Sequence, residues 1–345
     1  MENFSISPFS PIFSRDCGKD APFVYRTIMH VFHLWTFPVY TATLAVLYRE
    51  PSKAFRIYKY YIIVHVLNNI ITEVYVCYFM LPDTNLPHPL LRTTGWMARW
   101  GFSGLLQFYM LAQLVILTGL SIVEMFYYRF KICVFHYQTQ QFAKIIWMKV
   151  TAYRVLVFLN PILIAIFFKK SLVEEEEARI KLYTEHPSSP PEITCYSVML
   201  AVSGSYILWI MIVLYIVLTV LCCSCALETL IYITSYIKKS MVMSKTTERL
   251  QKMLIVSLFI QTGIHGLLIL APILFMFYAF FFEFSYDSFA YFTLIVFAYH
   301  GFVSTCGMIL FTKPLRDKIL PCFKKFGRTE PISTVQPSTT MDNQN

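Results

Sequence analysis

The sequence predicts an all-α polytopic membrane protein, a bundle of seven transmembrane helices, and three observations predict it. Of 345 residues, 57% are hydrophobic and 14% charged, with a mean hydropathy of +0.55, whereas a water-soluble domain carries about a quarter charged residues. Apolar runs of about 20 residues, each long enough to cross a hydrocarbon core of ~30 Å as helix, recur from Phe23 almost to Lys313. Lys and Arg gather in the short segments between those runs, so the net charge of +9 describes membrane topology rather than a nucleic-acid surface. A water-soluble enzyme and a nucleic-acid partner are excluded; the bilayer is the first partner.

The elements follow in order. Residues 1–22 form a tail without the apolar core of a secretory signal, so the first span is expected to be an uncleaved signal anchor. Residues 23–318 are the membrane domain, with spans at about 23–48, 60–81, 98–127, 147–168, 195–237, 252–282 and 289–312. The third, fifth and sixth exceed what a bilayer needs and are expected to tilt or project. Linkers are short and leave no room for a separate soluble domain. Residues 319–345 form a tail that turns polar beyond Gly327 and is expected to be disordered at its end. Matching pairs of broken helices, the mark of inverted-repeat transporters, are missing.

Orientation follows from the basic residues. Arg49, Lys53, Arg56 and Lys59, then Arg129, Lys131, Lys144 and Lys149, then Lys238, Lys239, Lys245, Arg249 and Lys252, and finally the tail, all fall on one side of a seven-span chain. The other side carries the acidic run Glu174, Glu175, Glu176 and Glu177, expected in a loop, and a loop with Glu283 and Asp287 but no Lys or Arg. The positive-inside rule puts the N-terminus outside and the C-terminus inside. Asn3, in Asn3-Phe4-Ser5, is then a glycosylation acceptor, and Cys322 in the basic tail stands where palmitoylation occurs.

Ionisable residues inside spans invite a functional reading, because a charge at mid-bilayer costs a few kcal/mol or more. Glu124 and Arg154 lie near the inner side, where they can snorkel or pair with loop charges. Glu73, deeper in its span, is either a structural hydrogen-bonding group or a contact for a ligand or ion. Gln107, Gln113, Thr118 and Ser121 recur on the third span at helical spacing and suit interhelical hydrogen bonds. His30 and His33 share a turn without a Cys or carboxylate to complete a metal set, and no metal or cofactor site is expected. Cys17 and Cys195 are the cysteines on the oxidising side and form a disulfide candidate; in the alternative, Cys195 is a thiol buried at the top of the fifth span. HExxH, GxSxG, Walker and paired-carboxylate motifs are missing, and no Lys stands in the last span to hold retinal.

These residues resemble the serpentine chemoreceptors of nematodes, class H (Srh) and the related class I (Sri). The pieces that carry the resemblance are Leu47-Tyr48-Arg49-Glu50-Pro51-Ser52-Lys53 followed by His65; Pro87-His88-Pro89 with Gly95; Ser121-Ile122-Val123-Glu124-Met125-Phe126 leading to Arg129; Trp147 and Arg154 with Asn160; Leu250-Gln251 and Gln261 with Pro272; and His300-Gly301-Phe302-Val303-Ser304-Thr305 running to Pro314-Leu315-Arg316. They cover nearly the whole chain in the expected order. Tyr127 and Tyr128 stand before Arg129 where the class H pattern has an acid and an amide, so Glu124 is expected to stand in as the acid partner of Arg129.

The resemblance implies a chemosensory G-protein-coupled receptor, GPCR-like in fold, not an enzyme. It implies a small-molecule chemosensory ligand as one partner and a heterotrimeric G protein as the other, with placement in the plasma membrane or on a sensory cilium. The ligand is expected between the outer helix halves, near Glu73, Gln107, Gln113, Gln261 and His265. Arg129, Lys131, Lys239, Lys245 and Arg249 are expected to face the G protein; the same charges also serve orientation and contact with anionic lipid. Pro161 and Pro272 remove backbone hydrogen bonds and can localise kinks. The competing readings are a seven-helix ligand-gated cation channel with inverted topology, and a small-solute transporter.

Overall fold

The computed structural model describes residues 20–319 apart from 50–56, 85, 87–89, 134–139, 186–190, 201–205, 240–244 and 283–285. Asn3, Cys17 and Cys322 therefore lie outside the described residues. The elements are α1 Phe23–Val31, α2 His33–Arg49, α3 Tyr58–Val74, β1 Pro82–Thr84, β2 Leu90–Thr93, α4 Trp96–Arg99, α5 Gly104–Cys133, α6 Gln140–Glu185, β3 Val198–Leu200, α7 Tyr206–Lys239, α8 Lys245–Phe281, α9 Asp287–Ala298, α10 His300–Phe311 and α11 Lys313–Ile319.

Among the described residues six helical stretches are long and apolar enough to cross a membrane, and α9 with α10, bent by 49° at Tyr299, make a seventh when the pair is counted as one span. The first span is α1 with α2, broken at Phe32; α2 also carries Pro38, whose missing N–H removes a helical bond. Helix α5 lies at the centre, packed on α3, α6, α7 and α8, and α10 packs on α8, α3 and α2. One core cluster joins Leu47, Ile62, Val66, Met125, Phe126, Leu258 and Met308 across five helices. The opposite surface of the bundle is apolar, as lipid requires: Trp209, Ile210, Val213, Val220 and Leu267 are exposed.

Several boundaries differ from the sequence expectation, each for a local reason. The second span leaves α-geometry at a π-helical turn, Tyr75–Met80, and stops at Leu81 with φ 41°. A side chain with a Cβ is strained there, and the turn aims the chain into β1. The third span begins at Gly104, six residues after the expected 98, because Gly101 (φ 83°) breaks the helix after α4 and Ser103 Oγ accepts from the Leu106 N–H at 3.3 Å as an N-cap. The acidic run expected in a loop is helical: α6 runs 46 residues, about 69 Å at 1.5 Å per residue. Its projecting part is laced by the i,i+4 pairs Lys170–Glu174, Glu175–Arg179 and Lys181–Glu185. Residues 195–200, expected at the start of the fifth span, instead form a turn and β3.

The three short strands make an antiparallel sheet in the order β1-β2-β3, with Asp83 opposite Arg92 and Leu91 opposite Met199. This sheet closes one end of the bundle. Asp83 and Arg92 pair at 3.1 Å with both side chains buried, Tyr291 of α9 donates to Asp83 at 2.9 Å, and Tyr25 of α1 donates to the Pro82 carbonyl at 2.7 Å. From the other flank Arg179 donates to the Cys195 carbonyl at 2.7 Å while Glu175 accepts from the Leu200 N–H at 3.2 Å. The first, fourth and seventh spans are thereby tied to one cap. Burial raises the Asp83 carboxyl above the usual carboxylate range, against the pull of the Arg92 guanidinium.

Candidate functional site

Polar groups inside the bundle collect in two clusters and one latch. The first cluster surrounds Glu73 of α3, which is 1% exposed. Thr36 donates to one carboxylate oxygen at 2.6 Å and Tyr40 to the other at 2.8 Å, while His33 Nδ1 lies 2.9 Å from Oε1. All three partners stand on α2, so a carboxylate that lipid would reject is satisfied by one neighbouring helix. This geometry supplies the partners that the hydrogen-bonding reading of Glu73 requires.

The second cluster is built from residues four apart on three helices: His65 and Asn69 on α3, Gln261 and His265 on α8, His300 and Ser304 on α10. All six are at most 3% exposed. His65 Nδ1 lies 2.7 Å from Ser121 Oγ of α5, and His65 Nε2 lies 3.2 Å from His265 Nε2. Asn69 Nδ2 also approaches His65 Nε2, at 3.4 Å. The His265 and His300 rings meet edge to face with centroids 5.2 Å apart. Gly301 makes the approach of α10 to α3 possible, since a Cβ there would sit 2.7 Å from Asn69 Cβ. The first cluster leaves one buried atom without a partner among the described residues, His33 Nε2; this one leaves five: Asn69 Oδ1, Gln261 Oε1, His265 Nδ1, His300 Nε2 and Ser304 Oγ. Among the described residues no group of three His, Cys, Asp or Glu is arranged to hold a metal ion.

The latch lies at the end of the bundle away from the sheet. Arg129 of α5 is 1% exposed, its guanidinium 3.5 Å from the centroid of the Tyr58 ring of α3 and donating to Gln251 Oε1 of α8 at 3.4 Å. Its Nε and Nη2 have no partner among the described residues. Glu124 does not stand in as its acid: it forms a bidentate pair with Arg154 of α6, at 2.5 and 2.8 Å. Arg129 is thus held by a neutral amide and an aromatic face.

The residues expected at the ligand pocket are therefore spread out. Gln113 accepts from Asn160 at 2.7 Å and donates to the Val157 carbonyl, fastening α5 to α6. Gln107 donates to the Phe102 carbonyl at 3.0 Å near the sheet. Gln261 and His265 share the open cluster, and Glu73 stands one turn beyond Asn69. Of the residues expected to face a partner, Lys131 and Arg249 are exposed and Arg129 is buried beneath Tyr58; Lys239 and Lys245 end α7 and begin α8. Cys195 is disulfide-bonded, so the alternative of a free thiol there does not hold.

The sequence reading assigned no site role to His65, Asn69, His300, Ser304, Tyr58 or Gln251. A signal was available for the first four: polar pairs at i,i+4 within apolar runs mark one interior face of a helix.

No curated protein and no solved structure matches the chain. The family model of the serpentine type 7TM GPCR chemoreceptor Srh matches residues 20–325, a stretch that takes in all seven spans, the sheet and both polar clusters. The chain belongs to the Srh family of serpentine seven-transmembrane chemoreceptors, G-protein-coupled receptors embedded in a membrane as multi-pass proteins.

Proposed function

We propose that the chain is a plasma-membrane chemoreceptor whose sheet-capped end faces outside, where a small ligand enters between the helix halves, and whose basic end activates a heterotrimeric G protein. Display on a sensory cilium fits this role. The observation that carries the reading is the Arg129 latch within a chain of the Srh family. A buried cation joining α3, α5 and α8 through a neutral amide and an aromatic face, with no acid partner among the described residues, suits an element that can exchange between two arrangements, and a ligand that prefers one of them shifts the population. Lys131 and Arg249, two residues along the chain from Arg129 and Gln251, supply exposed basic charge for the partner, with Lys239 ending α7 and Lys245 beginning α8. The basic-residue count sets the orientation: all the dense Lys and Arg segments fall on the side of the C-terminus.

The outer cap includes a disulfide between Cys17 and Cys195 in this reading. Cys195 is bonded, Cys77, Cys222, Cys223, Cys225 and Cys306 are free, and of the other cysteines only Cys17 belongs to the N-terminal side. Asn3 would carry glycan on that side and Cys322 an acyl chain on the other.

Two measurements test the proposal. In intact cells, an epitope before Phe23 is expected to be antibody-accessible and one after Gly327 to be accessible only after permeabilisation; the reverse pattern would favour the inverted channel. In membranes holding a heterotrimeric G protein, Gln251→Leu is expected to raise basal nucleotide exchange by freeing Arg129, whereas exchange that never depends on the receptor or its variants contradicts the coupling.

A further inference from the structure

The open cluster has a polarity that names its ligand. A carbonyl oxygen only accepts, so His300 Nδ1, 2.6 Å from the Phe297 carbonyl, carries the proton and the neutral ring leaves Nε2 as a lone pair. Ser121 Oγ donates to the Thr118 carbonyl at 2.7 Å and so accepts from His65 Nδ1–H. His65 Nε2 is then a lone pair that accepts from His265 Nε2–H at 3.2 Å and from the Asn69 amide. The relay ends at His265 Nδ1, a buried lone pair with no partner among the described residues. Reversing every proton of the relay would turn His265 Nδ1 into a donor, but of the other unpartnered atoms in the cluster Gln261 Oε1, His300 Nε2 and Asn69 Oδ1 are acceptors, and the Ser304 hydroxyl alone can donate. An excess of buried acceptors calls for donors.

We propose that the interior between α3, α8 and α10 binds a small amine, its N–H groups donating to His265 Nδ1, His300 Nε2 and Gln261 Oε1. This deepens the receptor reading above and rests on it. A donor at His265 Nδ1 fixes the proton order of the relay as far as Ser121, on the same helix as Arg129, which gives bound ligand a hydrogen-bonded route into α5.

The test uses the full chain purified in lipid nanodiscs. Melting midpoints are measured with primary alkylamines from methylamine to decylamine, each matched by the methyl ketone of the same chain length, which has no N–H to donate. At least one amine is expected to raise the midpoint while its ketone does not, and His265→Phe or Gln261→Leu is expected to raise the amine concentration needed by about tenfold or more. Ketones as effective as amines, a variant that responds like the wild type, or no response to any amine because water alone fills the cluster, would each overturn the proposal. If both variants fail to fold, the amine–ketone comparison on the wild type decides. Nucleotide exchange on a co-reconstituted G protein separates the two claims. Amine binding without exchange keeps this site and overturns the coupling; exchange driven by ketones and not by amines keeps the coupling and overturns this site.

Discussion

Two polar clusters lie one helical turn apart along α3, and they differ in how far they are satisfied. Around Glu73 every carboxylate oxygen has donors, all from α2. Around His65, His265 and His300, five buried polar atoms have none among the described residues. A carboxylate with both oxygens satisfied fastens, since a ligand reaching it would have to displace hydrogen bonds already made; beside it only His33 Nε2 is left without a partner among the described residues. An unsaturated cluster is costly in the empty bundle and gains from a guest that completes it. The difference separates a structural tie from a reading site within a single helix, although Glu73 as an intramembrane acid is the more conspicuous residue in the sequence.

The comparison breaks first if removing Glu73 is harmless. Glu73→Ala strands Thr36, Tyr40 and His33 and is expected to cost roughly 3 kcal/mol, read as a lowered melting midpoint in detergent. A second test asks whether the open cluster depends on close helix approach. Gly301→Ala places a methyl group against Asn69 and should cost about 2 kcal/mol, pushing α10 from α3 and weakening ligand response in the same variant. The Glu124–Arg154 pair gives the scale for an ordinary interhelical fastening, with Arg154 38% and Glu124 19% exposed. A double-mutant cycle with Glu124→Gln and Arg154→Gln should return a coupling of about 1 kcal/mol. His265→Phe is expected to change stability by about 1 kcal/mol or less, since one ring nitrogen was unpartnered already, while abolishing response to ligand.

What the sequence made legible follows from range. Seven spans rest on local composition and could be read directly, as could the interior placement of Glu73 and the polar stripe of α5. The sheet could not: strands of three and four residues carry almost no periodic signal, and β3 pairs with β2 across three intervening helices, α4 to α6. The helical character of Lys169–Glu185 was written in its i,i+4 charge pairs, yet an acidic run also reads as loop. Arg129 stood out as a basic residue at the end of its span, but its partners Tyr58 and Gln251 stand on other helices. Each histidine taken alone resembles a buried core residue; their meeting depends on how α3, α8 and α10 pack, which no local pattern encodes.

The most direct test compares melting midpoints of the wild type, Glu73→Ala and His265→Phe in nanodiscs, with and without the alkylamine that stabilises the wild type most. The account predicts that Glu73→Ala melts well below the wild type without ligand, whereas His265→Phe melts near the wild type and gains nothing from the amine. A stable Glu73→Ala, or a His265→Phe that the amine stabilises as fully as the wild type, would contradict the division of the core into a tie and a reading site.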